Sequence, residues 1–173
     1  GRLAREAASM ARQLGLAVSR GKNQDAGQDA FEGFRALYDD LVASYHLGAS
    51  IPKALVATFG RESLAAERVE RYAVLAEMGR LVGSSGPRLI LCEDIHLADS
   101  GTVELTEYLA RNLVGEGHPI VLLCTRTPNE EDDVDTLADF VSGASTNVPA
   151  THLELGAISN AAVEAVVLDV VED

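Results

Sequence analysis

The sequence predicts an α/β domain in three layers, a parallel sheet flanked by helices, and three observations lead there. Helical and strand-like segments alternate along the chain. Two short apolar runs, residues 89–92 and Ile120–Cys124, lack the in–out alternation of half-exposed strands and read as strands covered on both faces. One helical segment of suitable length separates them, which makes a right-handed βαβ unit. With 173 residues, 47% of them hydrophobic and 24% charged, the chain is large enough to bury one sizeable core. Residues 1–173 therefore read as a single domain.

The elements follow in order. Residues 3–14 are rich in Ala, Arg, Glu and Gln and predict a helix. Residues 16–19 predict a short strand, and 21–27 a polar loop. Phe31, Phe34, Leu37, Tyr38, Leu41 and Val42 recur at helical spacing. Gly48 and Ser50 interrupt the chain, and Pro52 is placed to open a short helix through Phe59. A helix over 63–82 carries Leu64, Val69, Tyr72, Leu75 and Leu81. Ser84, Ser85, Gly86 and Pro87 punctuate the chain before the strand at 89–92.

The crossover helix spans 100–114, with Leu105, Leu109 and Leu113 on one face, Asp99 or Ser100 as its N-cap, and Gly115 and Gly117 at its end. Residues 130–140 begin with acids, which suits the positive end of a helix. Thr151, Leu153 and Leu155 alternate with His152 and Glu154 and predict a strand. Ser159 caps a final helix carrying Val163, Val166, Val167 and Val170. No internal repeat or low-complexity linker is visible.

The strand at 89–92 ends in two adjacent acids, Glu93 and Asp94, and the next strand ends in Thr125 and Arg126. Parallel strands joined by one crossover bring their carboxyl ends to the same rim, the edge at which open α/β sheets bind ligands. A carboxylate pair and an arginine thus fall within reach of one bound anion–metal complex. In nucleotide hydrolases one such acid holds Mg²⁺, usually through water, and the other orients or deprotonates the attacking water.

Charge and composition exclude other classes. A net charge of −13 argues against nucleic-acid binding by this segment, because phosphate contacts need clustered Lys and Arg. Cys92 and Cys124 both lie inside apolar runs without metal-ligand spacing, and read as small buried thiols of a reducing compartment. No apolar run approaches the ~18 residues of a membrane span, and no signal peptide is visible, so the expected location is cytoplasmic.

The run Leu-Ile-Leu-Cys-Glu-Asp-Ile-His-Leu-Ala-Asp, residues 89–99, resembles the Walker B region of signal-transduction ATPases with numerous domains, an AAA-like branch of the P-loop NTPases. Leu97 stands where that family usually carries Trp. Ile120 to Pro128 is similar to the family's following strand, which ends in a polar residue and a phosphate-sensing Arg. Leu153 to Ser159 resembles its final strand and the start of a lid, so residues 156–173 would open that lid. Gly1 to Glu6 looks like the helix directly after the phosphate loop.

The resemblance implies ATP and Mg²⁺ as cofactors. It implies Glu93 and Asp94 as the metal site, with Asp94 as the water-activating acid, and Thr125 and Arg126 as nucleotide-binding residues, with Arg126 sensing the γ-phosphate. It further implies an ATPase core of a multidomain signalling or transcription-regulating protein, partnered by nucleotide and by other domains of the same polypeptide. The G-x-x-x-x-G-K-[ST] loop is absent from these residues and would lie immediately before residue 1, along with a first core strand. Gly1 either takes the Ser/Thr position of that loop or is foreign to it. Losing three charge-assisted phosphate hydrogen bonds costs about 5–9 kcal/mol, so residues 1–173 alone are expected to bind ATP poorly. Without that strand the sheet keeps a raw edge, and homo-oligomerisation is an open expectation.

Each residue also has a plainer reading. Glu93 and Asp94 can be solvated residues ending a strand, and Arg126 a loop residue at the surface. Thr125 can cap its strand, His96 can be a structural hydrogen-bonder, and Asp99 a helix cap. The acids between Glu130 and Asp135 fit a solvated helix start better than a Ca²⁺ loop. On those readings the chain is a non-catalytic acidic interaction module with a degenerate ATPase fold. A receiver-like domain is a third class, and it lacks a plausible acceptor Asp at the end of another apolar strand.

Overall fold

The computed structural model describes residues 1–23, 31–44, 51–59, 71–127, 148, 150–157 and 159. They form an α/β arrangement around a three-stranded, fully parallel sheet in the order β1-β2-β3: β1 (Ala17–Lys22), β2 (Arg88–Glu93) and β3 (Ile120–Cys124). The helices are α1 (Arg2–Gln13), α2 (Arg35–Ser44), α3 (Lys53–Phe59), α4 (Arg71–Ser84) and α5 (Ser100–Leu109). β2 lies in the middle and is buried along its whole length, as its unbroken apolar sequence requires. The expected β2–β3 neighbours are present, with Leu89 opposite Val121 and Cys92 opposite Cys124.

Alternation sorts the strand residues onto two faces. Ile90 and Cys92 of β2, with Ile120, Leu122 and Cys124 of β3, face the large core. There they meet Phe34, Leu37, Leu41, Leu55, Phe59, Met78, Leu105 and Leu109 from α2 to α5 and the turn before α2. Leu89 and Leu91 are buried outside that cluster, on the opposite face, which α1 covers with Ala4, Ala8 and Ala11. These three alanines recur at i, i+4 and i+7, so a stripe of small side chains meets the sheet.

Several boundaries differ from expectation. β1 does not stop at Ser19 but runs through Lys22, where a polar loop was expected, because Arg20, Gly21 and Lys22 pair with Leu91, Cys92 and Glu93. Gly21 permits a close approach: a Cβ there would sit 1.7 Å from the Gly33 carbonyl oxygen. The helical spacing from Phe31 begins as a 3-10 turn, Glu32–Phe34, entered through Phe31 at φ 64°. The crossover helix is not α-helical to its end, since Ala110–Val114 widens into a π-helical turn. There the Asn112 amide donates to the Tyr108 carbonyl at 2.8 Å, competing with the main-chain ladder.

The expected strand at residues 151–155 is not one. Its backbone pairs with nothing in the sheet, and Leu153 and Leu155 are 70% and 73% exposed. Alternation alone does not make a strand: among the described residues β1 and β3 each keep an unpaired edge, and residues 151–155 pair with neither. The helices expected over 130–140 and after Ser159, and most of the first half of the helix expected over 63–82, fall outside the described residues. Among the described residues no helix is long and apolar enough to cross a membrane.

Candidate functional site

The carboxyl ends of the three strands and the N-terminus of α1 converge at one rim. In an αβ unit the helix runs antiparallel to the strand it precedes, so α1 begins where β1 and β2 end. The Gly1 nitrogen lies 3.0 Å from Glu93 Oε2. This direction places the positive end of a twelve-residue helix over the carboxylate.

Glu93 is only 3% exposed, yet both its oxygens are engaged. Oε1 accepts from Arg20 Nε at 2.6 Å, and Oε2 from the Gly1 ammonium. The Arg20 hydrogen bond leads in holding the Glu93 carboxyl below the usual carboxylate range; burial opposes it, and the Gly1 amino group assists. The same contact raises Arg20. Arg20 sits opposite Leu91 in the register, on the α1 face shared with Glu93. Its role could not be read from sequence, because it depends on β1 continuing into the stretch that reads as loop.

Asn23, the residue after β1, likewise carries no signal in the sequence. It is 4% exposed, and both its backbone N–H and its side-chain amide donate to the Glu93 carbonyl, at 3.0 and 2.8 Å. Two donors on one carbonyl fix where β2 ends.

Asp94 leaves the strand in the left-handed region, φ 56° and ψ 47°, which Asp tolerates better than most residues. This residue turns the chain into the 3-10 turn Ile95–Leu97. Its N–H donates to Thr125 Oγ1 at 3.2 Å, while Ile95 N–H donates to the Thr125 carbonyl at 2.9 Å and Thr125 N–H to the Cys92 carbonyl at 2.9 Å. Thr125 thereby stitches the two strand ends together. His96 Nδ1 accepts from Thr127 N–H at 3.4 Å and adds a second tie between the same segments. Asp94 is partly exposed and Arg126 exposed, and among the described residues no ion pair joins Arg126 to either acid.

Asp99 caps α5. Its Oδ1 accepts from Thr102 N–H at 3.0 Å and from Phe31 N–H at 2.9 Å, and its Oδ2 from the Thr102 hydroxyl at 2.5 Å. Burial alone would raise this carboxyl, but the Thr102 hydroxyl and the backbone N–H groups of Phe31, Thr102 and Gly101 together hold it below its ordinary range.

The structure therefore brings Glu93, Asp94 and Thr125 to one rim, with Arg126 next in chain. Among the described residues no three His, Cys, Asp or Glu side chains cluster closely enough to hold a metal ion. A cation at this rim would take most of its ligands from water and from a bound anion, as Mg²⁺ commonly does with one or two carboxylates. Comparison with protein-family models, with curated proteins and with solved structures finds no match.

Proposed function

We propose that the chain is the portion following the phosphate loop of a P-loop NTPase-like domain of the signal-transduction ATPase type, binding ATP with Mg²⁺ in a multidomain protein. The observation that supports this most is the 3.0 Å approach of the Gly1 nitrogen to Glu93 at the carboxyl rim. A segment leading into α1 would cross that rim, beside the acids and Thr125. The parallel β2–β3 pair adds to this by bringing Glu93–Asp94 and Thr125–Arg126 to one edge.

In this reading, Glu93 supports the cation through water, Asp94 accepts a proton from the attacking water, and Thr125 and Arg126 bind phosphate oxygens. A bound Mg²⁺ supplies neutralisation of phosphate charge. The residues present fit such a group only in charge: Glu93 is held ionised, but both its oxygens accept from positive donors, at least one of which a cation would have to displace. In a chain with residues before Gly1, that nitrogen is an uncharged amide, and one Glu93 oxygen loses its ionic partner.

The test compares residues 1–173 with the same chain carrying a Gly-rich, Lys-containing segment upstream, if its gene encodes one. Calorimetry with Mg²⁺–ATP is expected to show affinity roughly 10³- to 10⁶-fold weaker without that segment. In the longer chain Asp94→Asn should reduce hydrolysis by at least about 10²-fold and leave binding nearly unchanged. Unchanged hydrolysis in that variant removes Asp94 from the chemistry.

One observation favours a second reading. Glu93 is buried and its Oε1 is held by Arg20 of β1, as in a carboxylate that only ties neighbouring strands together. The domain is then a non-catalytic acidic interaction module. Nucleotide binding that survives in neither chain, with both chains folded, would select it.

A further inference from the structure

We propose that Cys92 and Cys124 form a cross-strand dithiol that a hydroperoxide converts into a reversible disulfide at the end of the β2–β3 pair. The inference does not depend on nucleotide binding.

The geometry carries it. Cys92 and Cys124 are register partners on adjacent parallel strands, and neighbouring strands lie about 4.7–4.9 Å apart. Disulfides span Cα separations of about 4.4–6.8 Å. Register partners share a face, and both residues contribute to the large core, so the two thiols point the same way. Both cysteines are free.

The pair is asymmetric in the way such chemistry needs. Cys92 is buried, whereas Cys124 is partly open to solvent. The neighbouring Cys124 thiol, together with burial, pushes the Cys92 thiol well up. Cys124, the sulfur a small peroxide can reach, is therefore the one that attacks as thiolate, and Cys92 is the thiol that resolves it.

The steps balance. The Cys124 thiolate attacks one peroxide oxygen, the O–O bond breaks, and Cys124 becomes a sulfenic acid with release of hydroxide or alkoxide. Cys92 sulfur then attacks the Cys124 sulfur. The S–S bond forms, the S–O bond breaks, and the departing oxygen leaves as water with the Cys92 proton. The hydroxide or alkoxide takes up the proton that Cys124 had earlier lost. Two thiols are oxidised by two electrons, and the peroxide is reduced by two. The new bond would join backbones that Thr125 N–H and the Cys92 carbonyl already link, one residue before Glu93 and Thr125.

The test uses the whole 173-residue chain. The reduced protein is exposed to hydrogen peroxide, then unfolded and blocked with N-ethylmaleimide, and its intact mass and peptide map are recorded. The expected product is a monomer lacking two hydrogens, carrying no maleimide and containing a Cys92–Cys124 crosslinked peptide. Dithiothreitol should restore two maleimide-reactive thiols. In Cys92→Ser, dimedone should trap a sulfenic acid at Cys124. Two maleimides on the peroxide-treated wild-type chain would overturn the proposal, as would sulfinic or sulfonic acids without the crosslink, or disulfides only between molecules. The wild-type readout decides even if the serine variant fails to fold.

Discussion

The two faces of the sheet are built from different materials. One buries Phe34, Phe59, Leu105 and Met78, at 0–2% exposure, under four helices. The other is covered by α1 through Ala4, Ala8 and Ala11, while Leu3 and Met10 of the same helix and Leu14 at its C-cap remain exposed. A buried Leu or Phe contributes about 1.5–3 kcal/mol, but an alanine methyl less than about 1. The large-residue face therefore supplies most of the stability. The alanine face does something else: small side chains let α1 lie close to the sheet, so its N-terminus reaches Glu93. Packing holds one face, and ion pairing and a helix end organise the other, where the candidate site lies.

The widest separation of the two faces is expected from a cavity in the first. Phe34→Ala should cost about 3–5 kcal/mol in urea unfolding, because a fully buried ring is removed from a core that closes only partly around the gap. A loss below about 1.5 kcal/mol would mean that the faces do not differ as their side chains indicate.

Asp99 joins the large-residue face at its rim, bridging α5 and Phe31. Asp99→Ala should destabilise by about 1–2 kcal/mol at neutral pH through loss of the cap, with Phe31 N–H also left without its acceptor. The pH dependence has a definite sign. The Asp99 carboxyl is held below its ordinary range in the folded chain, so its contribution is complete above the unfolded value and disappears as pH falls through the folded one. Chemical unfolding from pH 7 downward should show a shallower acid limb in the variant than in the wild type.

Arg20→Ala tests the alanine face. Arg20 is 48% exposed, so screening limits its pair with Glu93, and about 1 kcal/mol is the expected loss. The sharper readout is the Glu93 titration. Its carboxyl is depressed chiefly by Arg20, so the variant should move the Glu93 carbon resonance to a higher midpoint. The wild type keeps this contribution above the unfolded glutamate value and loses it as pH falls through the lower folded one. An unmoved midpoint would show that the Gly1 amino group alone sets the charge of Glu93.

How much of this was legible beforehand follows from the range of each interaction. The β2–β3 pairing, the helix opened by Pro52 and the Asp99 cap depend on residues close in sequence or on uninterrupted apolar runs, and all three are visible in the sequence. Arg20 and Asn23 lie 73 and 70 residues from Glu93. Nothing local marks them, and Gly21 between them reads as a turn although it serves a close approach to Gly33. Residues 151–155 carry the strand pattern without a strand, since a pattern reports which side chains could face a core and not whether the segment pairs with a sheet edge. For the candidate site, the convergence of Glu93, Asp94 and Thr125 was legible from topology. The internal pairing of Glu93 was not.

The smallest expected effect lies on the outward side of α1. Met10 is 61% exposed and shares a helical stripe with Leu3 and Leu14. Met10→Gln removes little buried area and keeps good helix propensity, so urea unfolding of the 173-residue chain should change by less than about 0.5 kcal/mol. The contrast with Phe34→Ala is then roughly an order of magnitude within one chain. A loss above about 1.5 kcal/mol would show Met10 to be covered in solution, and sedimentation at two concentrations would separate a second copy of the chain from a segment of the same one. The alanine face would in that case be one side of a second apolar layer, and its organisation by ion pairs would be secondary.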